Sequence, residues 1–135
     1  MSTTVPREGW PTLFAVSLFQ EDLEAAKRFY SQVFGLTAEF EDADSAVVRF
    51  GPTLINLLKV EAAGELLSPS TPGGRGVGSR VVFSVPVDDV DAECARLAAL
   101  GVPLLNGPVD RPWGPRTASV VDPGGHVWEL AQGHG

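Results

Sequence analysis

The chain has 135 residues, 44% of them hydrophobic and 20% charged, which is enough to bury the core of one domain or of two small half-domains. Its formal net charge of −7 argues against a nucleic acid or an anionic membrane surface as partner and favours cationic ligands. The single cysteine, Cys94, excludes an intrachain disulfide and a cysteine-based metal cluster. The longest early apolar run, Leu13 to Phe19, is too short to span a membrane and lacks the flanks of a signal peptide. We therefore expect a cytoplasmic protein.

The first half of the chain predicts a strand, a helix and three more strands. Residues 12–19 are apolar and typical of a strand, and 21–35 predict a helix that Asp22 caps and Gly35 ends. The apolar residues of this helix fall on one face at helical spacing: Leu23, Ala26, Tyr30 and Val33. Three short strand-like runs follow, separated by turn residues, over 36–42, 45–51 and 52–60.

The second half of the chain has the same order of elements. Residues 62–78 are rich in Gly, Pro and Ser and predict an exposed linker. A strand over 80–87 and a helix over 88–101, capped by Asp89 and ended by Gly101, come next. The apolar face of this helix is predicted to consist of Val90, Cys94, Leu97 and Leu100. Three strand-like runs then follow over 102–107, 112–121 and 126–132.

This shared order indicates an internal duplication. Apolar residues recur at the same offsets after the two capping residues Asp22 and Asp89, which are 67 positions apart (89 − 22). We therefore predict an α+β fold of two βαβββ modules, 10–61 and 79–132, joined by the linker 62–78. Their two four-stranded sheets, side by side with helices outside, would enclose a concave face, and a symmetric homodimer is the default assembly.

Several motifs resemble the vicinal oxygen chelate superfamily, which includes glyoxalase I, extradiol dioxygenases and bleomycin resistance proteins. They are EDLEAAKRFYSQVFGL and VDDVDA, which contain the two helix starts, and RPWGPRTASVVDPGGHVWELAQ near the end. The resemblance covers about residues 10 to 132. It implies the glyoxalase/bleomycin resistance-like fold, a cup formed by paired sheets, but does not select one chemistry because this fold hosts many.

The resemblance also implies where a metal would bind. Metal-dependent members carry ligands at the positions of Ala15, Asn56, Val82 and Glu129. Ala and Val donate nothing and a neutral Asn oxygen is a weak ligand, whereas a catalytic site needs about three protein ligands. Neither histidine compensates, since His126 is expected to face away from Glu129 and His134 is next to the C-terminus. We expect no metal and no cofactor, with a divalent metal bound through other residues as the alternative.

Five residues are candidate ligand contacts: Ser17, Asn56, Ser84, Trp113 and Glu129. Glu129 either bonds a neighbouring Arg, Asn56 or water and stabilises the sheet, or faces the cavity and meets a polar or cationic ligand group. The same two interpretations, structural contact or ligand contact, apply to Asn56. The two serines lie on the same strand faces as the family's metal positions, where they either supply hydroxyls to a ligand or serve only as spacers. Trp113 either covers the cavity mouth or packs in a core or interface.

Other residues have structural interpretations. Trp128 is predicted to face the helices as core, Arg116 to pair with an acid and fix a loop, and Asp122 to Gly125 to form a turn. Two classes of function remain. The first is a metal-free protein that binds a small molecule, such as an antibiotic, in an apolar cavity without turnover. The second is a lyase, dioxygenase or isomerase of the same superfamily, metal-dependent or using Glu129 as acid or base.

Overall fold

The structure, a computed structural model, describes residues 13–133. Residues 10–12, assigned to the first module, and His134 lie outside this range. The first half contains one strand, two helices and three further strands: β1 (Ala15–Gln20), α1 (Leu23–Phe34), β2 (Phe40–Glu41), β3 (Ser45–Phe50), β4 (Thr53–Lys59) and α2 (Val60–Leu67). The second half contains β5 (Val82–Pro86), α3 (Val90–Ala99), β6 (Asn106–Asp110), β7 (Arg116–Val121) and β8 (Val127–Gln132).

The strands form two four-stranded sheets with matching topology. Their orders are β1-β4-β3-β2 and β5-β8-β7-β6, so each half repeats the arrangement of the other. In the first sheet β1 runs parallel to β4, and in the second β5 runs parallel to β8. All other neighbouring strands are antiparallel. The predicted α+β fold of two βαβββ modules is therefore confirmed.

The two long helices begin and end where their capping residues predict. The Asp22 side chain accepts a hydrogen bond from the Ala25 N–H at 3.0 Å, and Asp89 accepts one from Ala92 at the same distance. Gly35 ends α1 in the left-handed conformation, with φ of 68°. The predicted face of α1 is buried throughout. On α3, Val90 and Leu97 are buried but Leu100 is exposed, because the helix ends before this residue.

The helix-facing sides of both sheets contribute to a single core. Trp128 of β8 is 3% exposed and stacks on Phe50 of β3, with ring centroids 4.8 Å apart and planes 15° apart. Phe34 of α1 and Phe83 of β5 also lie against this indole. The prediction that Trp128 belongs to the core is correct, and this residue joins the two halves.

Two expectations about the architecture need correction. The segment 62–78 is not simply an exposed linker, because α2 extends to Leu67 and buries Ala63. The expected concave face is also not enclosed by a single chain. On β5, Val82 is 54% exposed and Ser84 is exposed as well, because the shared core draws the sheets together through their opposite sides. We call this side of the two sheets the open face.

The length of the helices bears on membrane crossing. Within residues 13–133 no helix combines the length and the apolar character that a bilayer-spanning segment needs.

Candidate functional site

The open face of the first sheet carries a serine–asparagine pair. Ser17 of β1 lies directly opposite Asn56 of β4, and both alternate with residues that enter the core, such as Leu18 and Leu57. The Asn56 Nδ2 group donates to the Ser17 hydroxyl at 3.3 Å. The Asn56 side-chain oxygen is buried and accepts no hydrogen bond within the described residues. This oxygen is an acceptor without a donor.

The second sheet carries a serine–glutamate pair at the equivalent place. Ser84 of β5 lies opposite Glu129 of β8, as Ser17 lies opposite Asn56. The Ser84 hydroxyl donates to Glu129 Oε1 at 2.8 Å. The other oxygen of Glu129 accepts no hydrogen bond within residues 13–133. Glu129 is bonded neither to an arginine nor to Asn56, so its only protein partner in that range is a serine.

The open face is exposed where β1 and β5 begin, and each of these is an edge strand of its sheet. Ala15 and Val82 begin β1 and β5 and are both exposed. The residues that precede them are apolar and exposed too, since Leu13 is 63% and Phe14 73% exposed. Exposed apolar groups on unpaired edge strands are unusual in a monomer and are typical of a surface that another molecule covers.

Trp113 does not cover a cavity within the single chain. It lies in the loop between β6 and β7 and is 71% exposed. The Arg111 guanidinium lies 5.8 Å from the centre of its indole, in cation–π contact. Arg111 in turn donates to the Thr117 hydroxyl at 2.9 Å, which fixes the guanidinium to β7. The indole is thus held in place, with most of its surface free for contact.

The residues at the superfamily's metal positions do not fit a metal. Ala15 and Val82 carry no donor atom, and the Asn56 amide and Glu129 carboxylate belong to different sheets. Residues 13–133 contain no cluster of three or more His, Cys, Asp or Glu side chains with the geometry to hold an ion. His126 is directed to Asp122, as shown below. A catalytic metal needs about three protein donors, and this set supplies one carboxylate and one amide.

A buried polar network that sequence reasoning missed connects the two halves. Asp122, for which the sequence predicts only a turn, is 1% exposed. Its Oδ2 accepts from Gln20 Nε2 at 2.8 Å and from the Tyr30 hydroxyl at 2.7 Å. The backbone N–H of His126 donates to Oδ1 at 2.9 Å, and His126 Nδ1 lies 2.9 Å from the same oxygen. Tyr30 also accepts from the indole N–H of Trp128 at 2.9 Å.

The network shifts the pKa values of its members in opposite directions. Burial disfavours the charged form of Asp122, but the bonds and charge of His126 and the bond from Gln20 outweigh it, so the pKa of Asp122 lies below its usual value. Burial, together with the negative charge of Asp122, raises the pKa of the Tyr30 phenol. Asp122 is therefore an ionised acceptor and Tyr30 a neutral donor. The Asp122 carboxylate and the Tyr30 hydroxyl are both bonded within the network, so we assign these two groups a structural role.

The predicted role of Arg116 is confirmed. Its guanidinium contacts Asp91 at 2.9 Å and Asp110 at 3.2 Å, which ties β7 to α3 and to the end of β6. These two carboxylates raise the pKa of Arg116. Because two carboxylates of the same chain already pair with the Arg116 guanidinium, its charge is balanced without a ligand.

Comparison with known proteins agrees with this architecture. A sequence profile of the Glyoxalase/Bleomycin resistance protein/Dioxygenase superfamily matches residues 12–130. Uncharacterised proteins of Mycobacterium bovis and Mycobacterium tuberculosis are 35% identical over 69 residues, which is 51% of this chain. The match spans 43% and 38% of those two proteins, so the chain corresponds to less than half of their length.

Solved structures extend the similarity to nearly the whole chain. A glyoxalase/bleomycin resistance protein/dioxygenase from Nocardioides is 25% identical with a TM-score of 0.81, covering 96% of this chain and 86% of its own. A lactoylglutathione lyase from Agrobacterium tumefaciens is also 25% identical, with a TM-score of 0.71 and coverage of 90% and 93%. A glyoxalase-related enzyme from Fulvimarina pelagi, 24% identical with a TM-score of 0.77 and coverage of 91% and 88%, shares the fold. The profile match and these structures place the chain in one family: it belongs to the Glyoxalase/Bleomycin resistance protein/Dioxygenase superfamily.

Proposed function

We propose that this protein binds a small molecule on its open face without a metal, as a sequestering protein of the bleomycin-resistance type. One observation carries the proposal: the side-chain oxygen of Asn56 is buried without a donor in the described part of the chain, and the half-buried Glu129, at the equivalent place in the second sheet, is bonded there only by Ser84. Acceptors that lack donors favour a ligand with N–H or O–H groups or a positive charge. Trp113 offers an exposed aromatic surface for a flat or cationic ligand.

The ligand pocket would be completed by a second copy of the chain. The open face is exposed along β5 in a single chain, as Val82 and Ser84 show, and a small-molecule site normally buries most of its ligand. The exposed apolar residues next to the edge strands, Leu13, Phe14 and Val82, support a symmetric dimer that covers them. In such a dimer the Ser17–Asn56 pair of one protomer would be brought toward the Ser84–Glu129 pair of its partner. The cytoplasmic location expected from the sequence stays a prediction.

A thermal-shift screen of cationic and aromatic antibiotics tests ligand binding. A ligand that binds only the folded protein raises stability by about 2.7 kcal/mol at a hundredfold excess over its Kd. We expect Glu129→Gln to weaken cationic hits. The control is Glu65→Gln, which removes the same charge from the exposed surface of α2. If hits bind equally to wild type, Glu129→Gln and Trp113→Ala, the ligand is not on the open face.

The assembly has its own test with a matched pair of variants. Leu13 and Leu66 are 63% and 64% exposed, but Leu13 lies beside β1 and Leu66 on α2. Because a symmetric interface contains each residue twice, Leu13→Asp should dissociate the dimer in native mass spectrometry, whereas Leu66→Asp should not. A wild-type monomer, or equal effects of the two changes, would contradict the proposed assembly.

Metal content and turnover separate this proposal from the enzymatic alternative. Elemental analysis of the purified protein is expected to find no stoichiometric Ni, Zn, Fe or Mn. About one ion per chain, lost on mutation of Glu129, would refute metal-free binding. Conversion of a bound hit to a product would move the protein to the lyase, dioxygenase or isomerase class.

A further inference from the structure

A separate pocket of about 290 Å³ lies where the two halves meet. One wall is the segment 73–81 and the other is the turn 124–126, with Phe19 of β1 between them. The turn approaches β1 closely because residue 124 is glycine. A Cβ on Gly124 would lie 2.6 Å from the Phe19 carbonyl oxygen, which backbone packing does not permit. None of the five candidate ligand residues on the open face or in its loops lines this pocket.

The charge of this pocket is opposite to that of the protein as a whole. The chain has 17 acidic and 10 basic residues, yet the pocket is lined by Arg75, Arg80 and His126 and by no Asp or Glu. Low-dielectric walls of one sign of charge concentrate the electrostatic potential inside a cleft. The positive lining of this pocket therefore favours anions, although the net charge of the chain is negative.

Both arginines are available to a ligand. Within residues 13–133, four cationic side chains bond a carboxylate: Lys27, Arg49, Arg96 and Arg116. Arg75 and Arg80, in contrast, form no hydrogen bond or ion pair with any residue in 13–133. A guanidinium has five N–H donors in a planar array that matches the oxygens of a phosphate or carboxylate.

Other residues of the pocket fix the ring of His126, lie against Arg75 and add an apolar surface. The Arg75 side chain crosses the turn, where a Cβ on Gly125 would meet its Cγ at 3.1 Å. The ring of His126 is fixed through Nδ1 by Asp122, and its Nε2 forms no hydrogen bond with residues 13–133. Phe19, Val77 and Val81 line the same pocket and can contact an organic group.

We propose that this pocket binds the phosphate group of a small organic phosphate monoester, with Arg75 and Arg80 neutralising its two negative charges. Two free guanidinium groups match a dianion better than a carboxylate, which has a single charge. The apolar side chains favour an ester over inorganic phosphate, since they can cover its organic part. This site is distinct from the one on the open face and does not depend on Glu129.

Binding of phenyl phosphate, followed by calorimetry and by broadening of its ³¹P resonance, tests the proposal. Inorganic phosphate and benzoate are the comparison probes: the first carries the phosphate without the ring, and the second carries the ring with a singly charged carboxylate in place of the phosphate. We expect the double variant Arg75→Gln/Arg80→Gln to weaken phenyl phosphate binding at least about tenfold, because each guanidinium supplies charged hydrogen bonds. The double variant Arg28→Gln/Lys59→Gln should bind as wild type. It removes the same net charge from two cations that also lack a carboxylate partner within residues 13–133 but lie outside this pocket.

Every result decides for or against the pocket. No binding of phenyl phosphate, or equal weakening in both double variants, would overturn the proposal, because the second result indicates attraction by net charge alone. Inorganic phosphate or benzoate binding as tightly as phenyl phosphate would overturn the monoester assignment. Unchanged phenyl phosphate binding in Glu129→Gln is expected, so the failure of one site leaves the other testable. Thermal melts of both double variants verify that they fold.

Discussion

Removing the Tyr30 hydroxyl tests whether the buried network holds the two halves together. Tyr30 is fully buried, donates to Asp122 at 2.7 Å and accepts from Trp128 at 2.9 Å. Tyr30→Phe deletes a single oxygen and preserves the ring that packs against Phe29 and Trp128. It leaves the Trp128 N–H without an acceptor, while Asp122 retains its bonds from Gln20 and His126.

The expected cost follows from these two lost bonds. A buried donor left without a partner costs about 1–3 kcal/mol, and a hydrogen bond to a charged group contributes about 1.5–3 kcal/mol. The variant also buries one polar hydroxyl fewer, which offsets part of the cost of the two lost bonds. We therefore expect Tyr30→Phe to lower the free energy of unfolding by about 2–4 kcal/mol. With about 2.1 cal/mol/K of unfolding entropy per residue over the chain, Tm should fall by about 7–14 °C.

Denaturant titration and thermal melts measure this change, with Ser84→Ala as the control. Ser84 also donates a hydroxyl hydrogen bond to a carboxylate, at 2.8 Å, but is exposed to solvent. Water replaces that bond when it is lost, so Ser84→Ala should change stability by less than about 0.5 kcal/mol. If Tyr30→Phe stays within the same small range, the buried network does not join the halves energetically.

Three further predictions follow from the structure. Because the pKa of Asp122 is lowered on folding, its contribution to stability is present above the usual aspartate pKa of about 3.9 and is lost as pH falls through the folded value; an acid titration of Asp122→Asn should lack that contribution. Ala15→His combined with Val82→His should create a Zn²⁺ or Ni²⁺ affinity, measurable by calorimetry, that the wild type lacks; no gain would show that these positions do not converge in the assembled protein. Gly107→Ala should destabilise far more than Gly51→Ala in melts, although both glycines have positive φ, because a Cβ on Gly107 collides with the Thr117 carbonyl and lies 2.7 Å from Ala118 Cα, whereas one on Gly51 meets nothing within 4 Å. Equal losses would mean that backbone conformation alone sets the cost.

The features predicted correctly depend on residues close together in the sequence. Asp22 caps a helix by bonding the backbone three residues later, and Gly35 ends it because glycine tolerates positive φ. The alternation along β1 and β5 placed Ser17 and Ser84 on the side away from the helices, as the structure has them. The duplication of this local pattern then predicted two matching sheets.

The mistakes concern residues whose environment is set by distant parts of the chain. Residues 62–67 continue the helix α2, which contacts β1 and β4 and buries Ala63, although their composition is typical of a linker. Asp122 looks like part of a turn in the sequence. Its partners Gln20 and Tyr30 are 102 and 92 residues away, so no local pattern predicts its burial.

The sequence by itself determined the two modules, their helix boundaries and the absence of donors at Ala15 and Val82, since each depends on residue type and local spacing. Only the tertiary structure decided which sides of the two sheets face one another. The aromatic side chains around Trp128 and the hydrogen bonds of Asp122 join the halves through their helix-facing sides, because burying large rings and pairing a buried charge both stabilise that contact. The same packing brings the segment 73–81 against the turn 124–126 and thereby forms the pocket lined by Arg75 and Arg80. Neither segment predicts this pocket alone.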